Sequence, residues 1–304
     1  MTPRSLPAPD DQKFIQRLRD ELFRPVAGGK ALGEMTPEEW RASFARLDPW
    51  RNESGAPAPD IGAYYSEIEL RPGLTAAIGV PRGEGPFPVI VVTHGPGLTA
   101  GSAHLSRRLT MEFASQGYLV ITPDFRLAPE HPFPAGHDDV RYTLTWINEN
   151  AAEWHADASR LALWGDSLGA ALALGVILAL ADEAHPPAVR AYVGFDGPYD
   201  LAQISAGGAA WYLGGNPGLI DDKRVSPMRN IPEGAELPSI LLLTGSASWG
   251  LAGTLDMARA LQEAHIDFQL HILDGMPHDF MTFPQLEGCR EGHRLMFDYL
   301  ARTV

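Results

Sequence analysis

One cysteine, Cys289, is all the chain has. No intrachain disulfide can form, and no cysteine-based zinc cage can be built. That usage is compatible with a reducing compartment, and the chain is expected to be cytoplasmic. Basic residues are also few, with 24 Lys and Arg against 38 Asp and Glu, a net charge of −14. Nucleic acid and anionic membrane surfaces both demand basic patches, so neither is expected as a general partner. Long apolar runs are missing: the longest, Leu168 to Ala181, has 14 residues, whereas a membrane span needs about 20. The opening MTPRSLPAPDDQKF has no apolar stretch of the kind a secretory signal carries. There are no repeats and no charged tails.

What is present reads as globular. The chain has 304 residues, 45% of them apolar and 20% charged, enough for one large core. Residues 1–304 are expected to form a single α/β domain. Residues 1–60 read as a helical arm that either packs or forms a lid. Gln12–Phe23 places Phe14, Ile15, Leu18, Leu22 and Phe23 near helical spacing. Thr36-Pro37-Glu38-Glu39 has the composition of a capping box. From Tyr64 the pattern becomes strands. Tyr64–Leu70 and Leu74–Val80 flank a turn, and six more follow: Pro88–Thr93, Tyr118–Pro123, Arg160–Trp164, Ala191–Phe195, Ser239–Thr244 and Phe268–Leu273. Helices are expected near 103–116, 137–154, 168–183, 253–265 and 289–302. Strands alternating with helices of this length predict a mostly parallel sheet covered on both faces. The irregular segment 200–237 is expected as an insertion, a second lid over the carboxyl edge, where such sheets bind ligands.

The chemistry is carried by Gly165-Asp166-Ser167-Leu168-Gly169. A strand precedes it and an apolar helix follows, the context of a nucleophile elbow. A sharp turn there lifts Ser167 above the sheet edge at a helix N-terminus, whose field favours negative charge. Leu168 N–H is placed to donate to an oxyanion. Serine needs an adjacent base to become a nucleophile, and His278 in Gly275-Met276-Pro277-His278-Asp279-Phe280 is the candidate.

Three further stretches make the pattern specific: His94-Gly95-Pro96-Gly97, the segment Asp124–Ala135 containing Arg126 and Glu130, and the His278 motif itself. With the elbow, in this order, they resemble the hormone-sensitive-lipase-like esterases of the α/β-hydrolase fold over roughly residues 60–304. The resemblance implies an eight-stranded, mostly parallel sheet with helices on both faces and a helical lid. It also implies a serine nucleophile, a histidine base, carboxylic esters as small-molecule substrates, and no metal or organic cofactor. Arg126 and Glu130 are structural by the same resemblance, glycine N–H groups at Gly95 and Gly97 face the oxyanion, and family members often form homodimers.

The sequence departs from that pattern twice. The loop Gly245–Gly253, where the family carries its acid, contains none, and Ser248 stands at the acid's place. Pro96 replaces a glycine of the oxyanion loop and has no N–H to give. Two orienting groups for His278 remain open: Asp196, at the end of the strand Ala191–Phe195, and Ser248. Three functions remain open as well. The leading one is a serine hydrolase acting on a small or medium carboxylic ester. The second is a non-hydrolytic lyase, dehydratase or cyclase using His278 as acid/base. The third is a protein that only binds its ligand.

Overall fold

A computed structural model describes residues 8–23, 35–53, 57–95 and 98–304. Its frame is one eight-stranded sheet in the order β1-β2-β4-β3-β5-β6-β7-β8. The strands are β1 (Ala63–Arg71), β2 (Leu74–Val80), β3 (Phe87–Thr93), β4 (Leu119–Pro123), β5 (Ala156–Asp166), β6 (Val189–Phe195), β7 (Ser239–Gly245) and β8 (Phe268–Leu273). β2 runs antiparallel to both β1 and β4, and every other pairing is parallel. The predicted sheet is therefore present. β5 is longer than expected because Ala156 already pairs with Phe87, before a register shift that lets Leu161 face Val89.

Strand side chains alternate between two cores. Val89, Val91, Leu161, Leu163, Ile240 and Leu242 point to one face, and Ile90, Val92, Ala162, Trp164, Leu241 and Leu243 to the other. This is why those strands are apolar at every position. The first face is covered by α5 (Ala135–Asn150), α6 (Leu168–Leu180) and α8 (Leu251–Glu263). The second is covered by α4 (Arg107–Ala114) and α9 (Glu287–Thr303). The apolar run of the sequence is α6, buried along nearly its whole length. Among the described residues no helix is long and apolar enough to cross a membrane. α4 begins later than expected because Asp124 Oδ1 holds Ala103 N–H at 2.7 Å in the preceding turn. α5 ends earlier because the chain reverses at His155, φ 50°, to enter β5.

Three helices form the arm: α1 (Pro9–Arg17), continued by a π-helical turn over Leu18–Phe23, α2 (Pro37–Ala45) and α3 (Asp48–Asn52). The predicted capping box is formed at α2, where Thr36 Oγ1 accepts from Glu39 N and Glu39 Oε2 accepts from Thr36 N. Arg41 on α2 donates to both carboxylate oxygens of Glu130 and to the carbonyl of Thr99. Its guanidinium holds the Glu130 carboxyl down at about 2. Asp11 on α1 accepts from Glu287 N at 2.9 Å and Gly288 N at 3.3 Å, satisfying two orphan donors at the start of α9. The insertion supplies α7 (Ala206–Tyr212) and several single turns.

Candidate active site

Ser167 links β5 to α6 with φ 52° and ψ −130°. A non-glycine residue in that region is strained by about 1–3 kcal/mol, and the packing leaves no alternative. A Cβ at Gly165 would lie 2.5 Å from the Gly169 carbonyl, and one at Gly169 would lie 2.1 Å from the Thr93 carbonyl. Both glycines are therefore demanded by backbone approach. The turn places Oγ at the carboxyl edge of the sheet, where Ser167 lines a cavity. Leu168 follows at the N-terminus of α6, among the first N–H groups that have no intrahelical acceptor.

His278 lies in the loop after β8. Its Nε2 is 3.1 Å from Ser167 Oγ, and its Nδ1 is 3.0 Å from Ser248 Oγ. Behind Ser248, a carboxylate oxygen of Asp196 stands 3.7 Å from Nδ1. The fold thus brings together all four candidates, Ser167, His278, Ser248 and Asp196. Their order is informative. Ser248 Oγ accepts from Gly250 N at 3.0 Å, which leaves its own hydrogen free to give. A hydrogen bond from Ser248 is among the influences favouring ionised Asp196. With the hydrogen on Nδ1, Ser248 Oγ accepts from the imidazole, and its own O–H is left to turn toward Asp196.

Asp196 is fully buried and also sits at positive φ, 52°. It accepts from Thr244 Oγ1 at 2.6 Å, Gly245 N at 3.2 Å and Asp279 N at 2.9 Å. Burial raises its carboxyl above the ordinary value, while His278, Thr244 and Ser248 pull it back. An Asp-Gly-Pro sequence reads as turn chemistry, and Asp196 is indeed at a turn. What sequence could not supply is that this turn ends beside Thr244 on β7.

Gly95 needs correction as an oxyanion donor. Its N–H is taken by Asp166 Oδ1 at 2.8 Å, because β3 and β5 are neighbours and end side by side. Pro96 and Gly97 lie outside the described residues, and Leu168 keeps the position expected of a donor. Arg126 pairs with Asp139, and Glu130 with Arg41, so both hold structure together.

Two residues at the site were not singled out by sequence. Asp279, next to His278, has φ 60° and is buried. Arg51 on α3 is buried against it, Nη2 to Oδ2 at 3.0 Å. The signal available for Asp279 was its adjacency to His278; for Arg51 there was none. Trp249 lies against the imidazole, its ring centroid 4.2 Å from that of His278.

Ser167 and His278 open into a cavity of about 630 Å³. The arm contributes Ile15, Leu18, Trp40, Phe44 and Leu47 to its wall. The insertion adds Ile204 and Trp211, and Trp249 and Phe283 complete an apolar, aromatic lining. The arm and the segment 200–237 thus both border the site. The described residues bring one possible metal-ligand group together, Glu112, Cys289 and His293, outside this cavity. Arg108 already pairs with Glu112, and the Met281 carbonyl accepts from Cys289 and lies 3.0 Å from His293 Nε2.

Comparison with known proteins agrees with this fold. Carboxylesterase NlhH of Mycobacterium tuberculosis is 32% identical over 174 residues, spanning 51% of this chain and 53% of that protein. A 2-hydroxyisoflavanone dehydratase of Glycyrrhiza echinata is 30% identical over 167 residues, 49% of each chain. The chain thus spans about half the length of these curated relatives. The crystal structure of a hyperthermophilic esterase from Pyrobaculum calidifontis superposes with a TM-score of 0.82, covering 97% of this chain and 98% of that one at 22% identity. A family model described as alpha/beta hydrolase fold matches residues 90–282, from the middle of β3 to just past the candidate base. With its sheet order, elbow and family match in agreement, the chain belongs to the α/β-hydrolase fold family.

Proposed function

We propose that this chain is a serine hydrolase of carboxylic esters. The observation that carries the reading is the 3.1 Å approach of His278 Nε2 to Ser167 Oγ on a strained elbow at the edge of an apolar cavity. Ser167 Oγ attacks the ester carbonyl carbon, and its proton passes to Nε2. The oxyanion forms at the N-terminus of α6, where Leu168 N–H and the helix field favour negative charge. Gly97 is the second donor that the sequence offers. Collapse breaks the bond to the alcohol, which leaves with the Nε2 proton. Water then repeats the sequence on the acyl-serine and releases the acid. Ser248 and Asp196 act in series, fixing the imidazole tautomer and balancing the imidazolium formed in each attack. The cavity wall favours small or medium esters with apolar groups.

One observation favours a second reading. A relative of similar identity is named as a dehydratase, and the loop Gly245–Gly253 carries no acid. In that reading His278 moves a proton on the ligand and Ser167 donates a hydrogen bond without forming a covalent intermediate.

Labelling with a fluorophosphonate separates the two, with Ser167→Ala as control and turnover of a short p-nitrophenyl ester as companion. Stoichiometric labelling at Ser167 with measurable turnover is the expected result. Absence of both labelling and turnover in folded protein would overturn the hydrolase reading.

A further inference from the structure

Asp279 divides its carboxylate between two neighbours. Oδ2 is held by Arg51 Nη2 at 3.0 Å. Oδ1 is buried, has no hydrogen-bond partner, and lies 3.3 Å from His278 Nε2, the nitrogen that faces Ser167. A buried carboxylate oxygen without a partner is costly unless a positive charge answers it. The charge at hand is the imidazolium, which forms while Ser167 is being acylated or released and whenever the free side chain is protonated. Asp279 is held in place by positive φ and by its N–H to Asp196.

We propose that Asp279, fastened by Arg51 of the N-terminal arm, is a positioning residue that supplies a second counter-charge to His278 on its Nε2 side. The proposal rests on His278 being the base. Asp196 reaches the imidazole from the Nδ1 side through Ser248, so the ring stands between two carboxylates. Arg51 offsets one of them and keeps Asp279 from binding Nε2 too tightly for Ser167 to compete. The other titratable groups nearby are Asp166 at the end of β5, on which Asp279 acts electrostatically, and His94 after β3, on which Arg51 does. The arm therefore contributes charge as well as cavity wall, and its docking is coupled to proton transfer.

The test uses Asp279→Asn, Arg51→Gln and Arg51→Lys in the full chain. Two readouts are taken: the acid limb of the kcat/KM profile on a p-nitrophenyl ester, and the His278 titration midpoint by NMR. Losing a facing carboxylate disfavours the imidazolium, so in Asp279→Asn both should move down by about one pH unit. The loss of rate should fall on kcat, with KM within about twofold. Removing the arginine strips the offset, so Arg51→Gln should move both readouts up, and Arg51→Lys should restore the wild-type profile. A purely structural pair would lower the melting temperature without moving either readout, and that result in folded Asp279→Asn overturns the proposal. Should Arg51→Gln fail to fold, Asp279→Asn decides alone. The NMR midpoint reads Asp279 even where no ester is turned over, which separates failure of this inference from failure of the hydrolase reading.

Discussion

Asp196→Asn is the substitution that asks most of the site. It keeps the size of the side chain and removes the charge 3.7 Å from His278 Nδ1. Coulomb's law at an effective dielectric of about 20 gives that charge about 4.5 kcal/mol against a full imidazolium at this distance. At about 1.4 kcal/mol per decade this is about 10³ in kcat/KM. It falls on kcat, because the imidazolium exists only along the reaction path. Stability should respond very differently. Burial already disfavours ionised Asp196, so the neutral amide relieves a desolvation cost. Against that, the carboxylate accepts from Thr244, Gly245 N and Asp279 N, and an amide nitrogen must face one of the two backbone donors. That clash costs about 1–3 kcal/mol. The two contributions oppose, and the melting temperature should move by only a few degrees. The assay is kcat and KM on a short p-nitrophenyl ester, normalised by active-site labelling, beside a thermal melt. A variant that keeps more than a tenth of wild-type kcat/KM would refute the reasoning and leave Asp196 as a tie between loops.

Two further outcomes follow from the same geometry. Ser248→Ala removes the hydroxyl beside Nδ1 and Asp196; one neutral hydrogen bond is worth about 1 kcal/mol, so kcat/KM should fall about fivefold, clearly less than in Asp196→Asn, and the reverse ranking would make Ser248 the main orienting group. Asp166 is pushed up to about 7, first by burial and then by the charge of Asp279. Its unfolded carboxyl ionises near 3.9, so between these values the native state binds more protons and stability falls as pH rises. Asp166→Asn cannot ionise, so its urea midpoint should gain on wild type steadily from pH 4 to pH 7. A difference independent of pH would show that Asp166 ionises equally in both states.

The parts of the fold legible in the sequence were those governed by local pattern. Val89–Val92 and Ile240–Leu243 are apolar at every position because each is covered on both faces. Thr36 and Glu39 signalled the start of α2 through chemistry confined to one turn. Ser167 stood out because its two flanking glycines are required by backbone approach. The rest depended on which strand ends meet. That Asp196 sits behind Ser248, and does not replace it, follows from β6 and β7 pairing as neighbours, with Asp196 N–H bonded to the Leu243 carbonyl. That Gly95 gives its N–H to Asp166 follows from the β3–β5 pairing. Arg51 in Asp-Pro-Trp-Arg-Asn reads as a surface arginine, and only docking of the arm against residues 228 positions away buries it.

Asp11 has a consequence for the order in which the molecule is made. Its carboxylate closes the start of α9, so α1 has no helix end to fasten until residues 287–288 have left the ribosome. Ser167 emerges long before then, and its N–H is held by the Phe195 carbonyl at the end of β6, so the elbow waits only for that strand. A chain halted before residue 278 therefore lacks His278, and until residues 287–288 are made Asp11 has no helix end on which to fasten Ile15 and Leu18 of the cavity wall. His278, Asp279 and the helix end that holds the arm all belong to the last stretch made, so the cavity closes when the arm made first finds the helix made last.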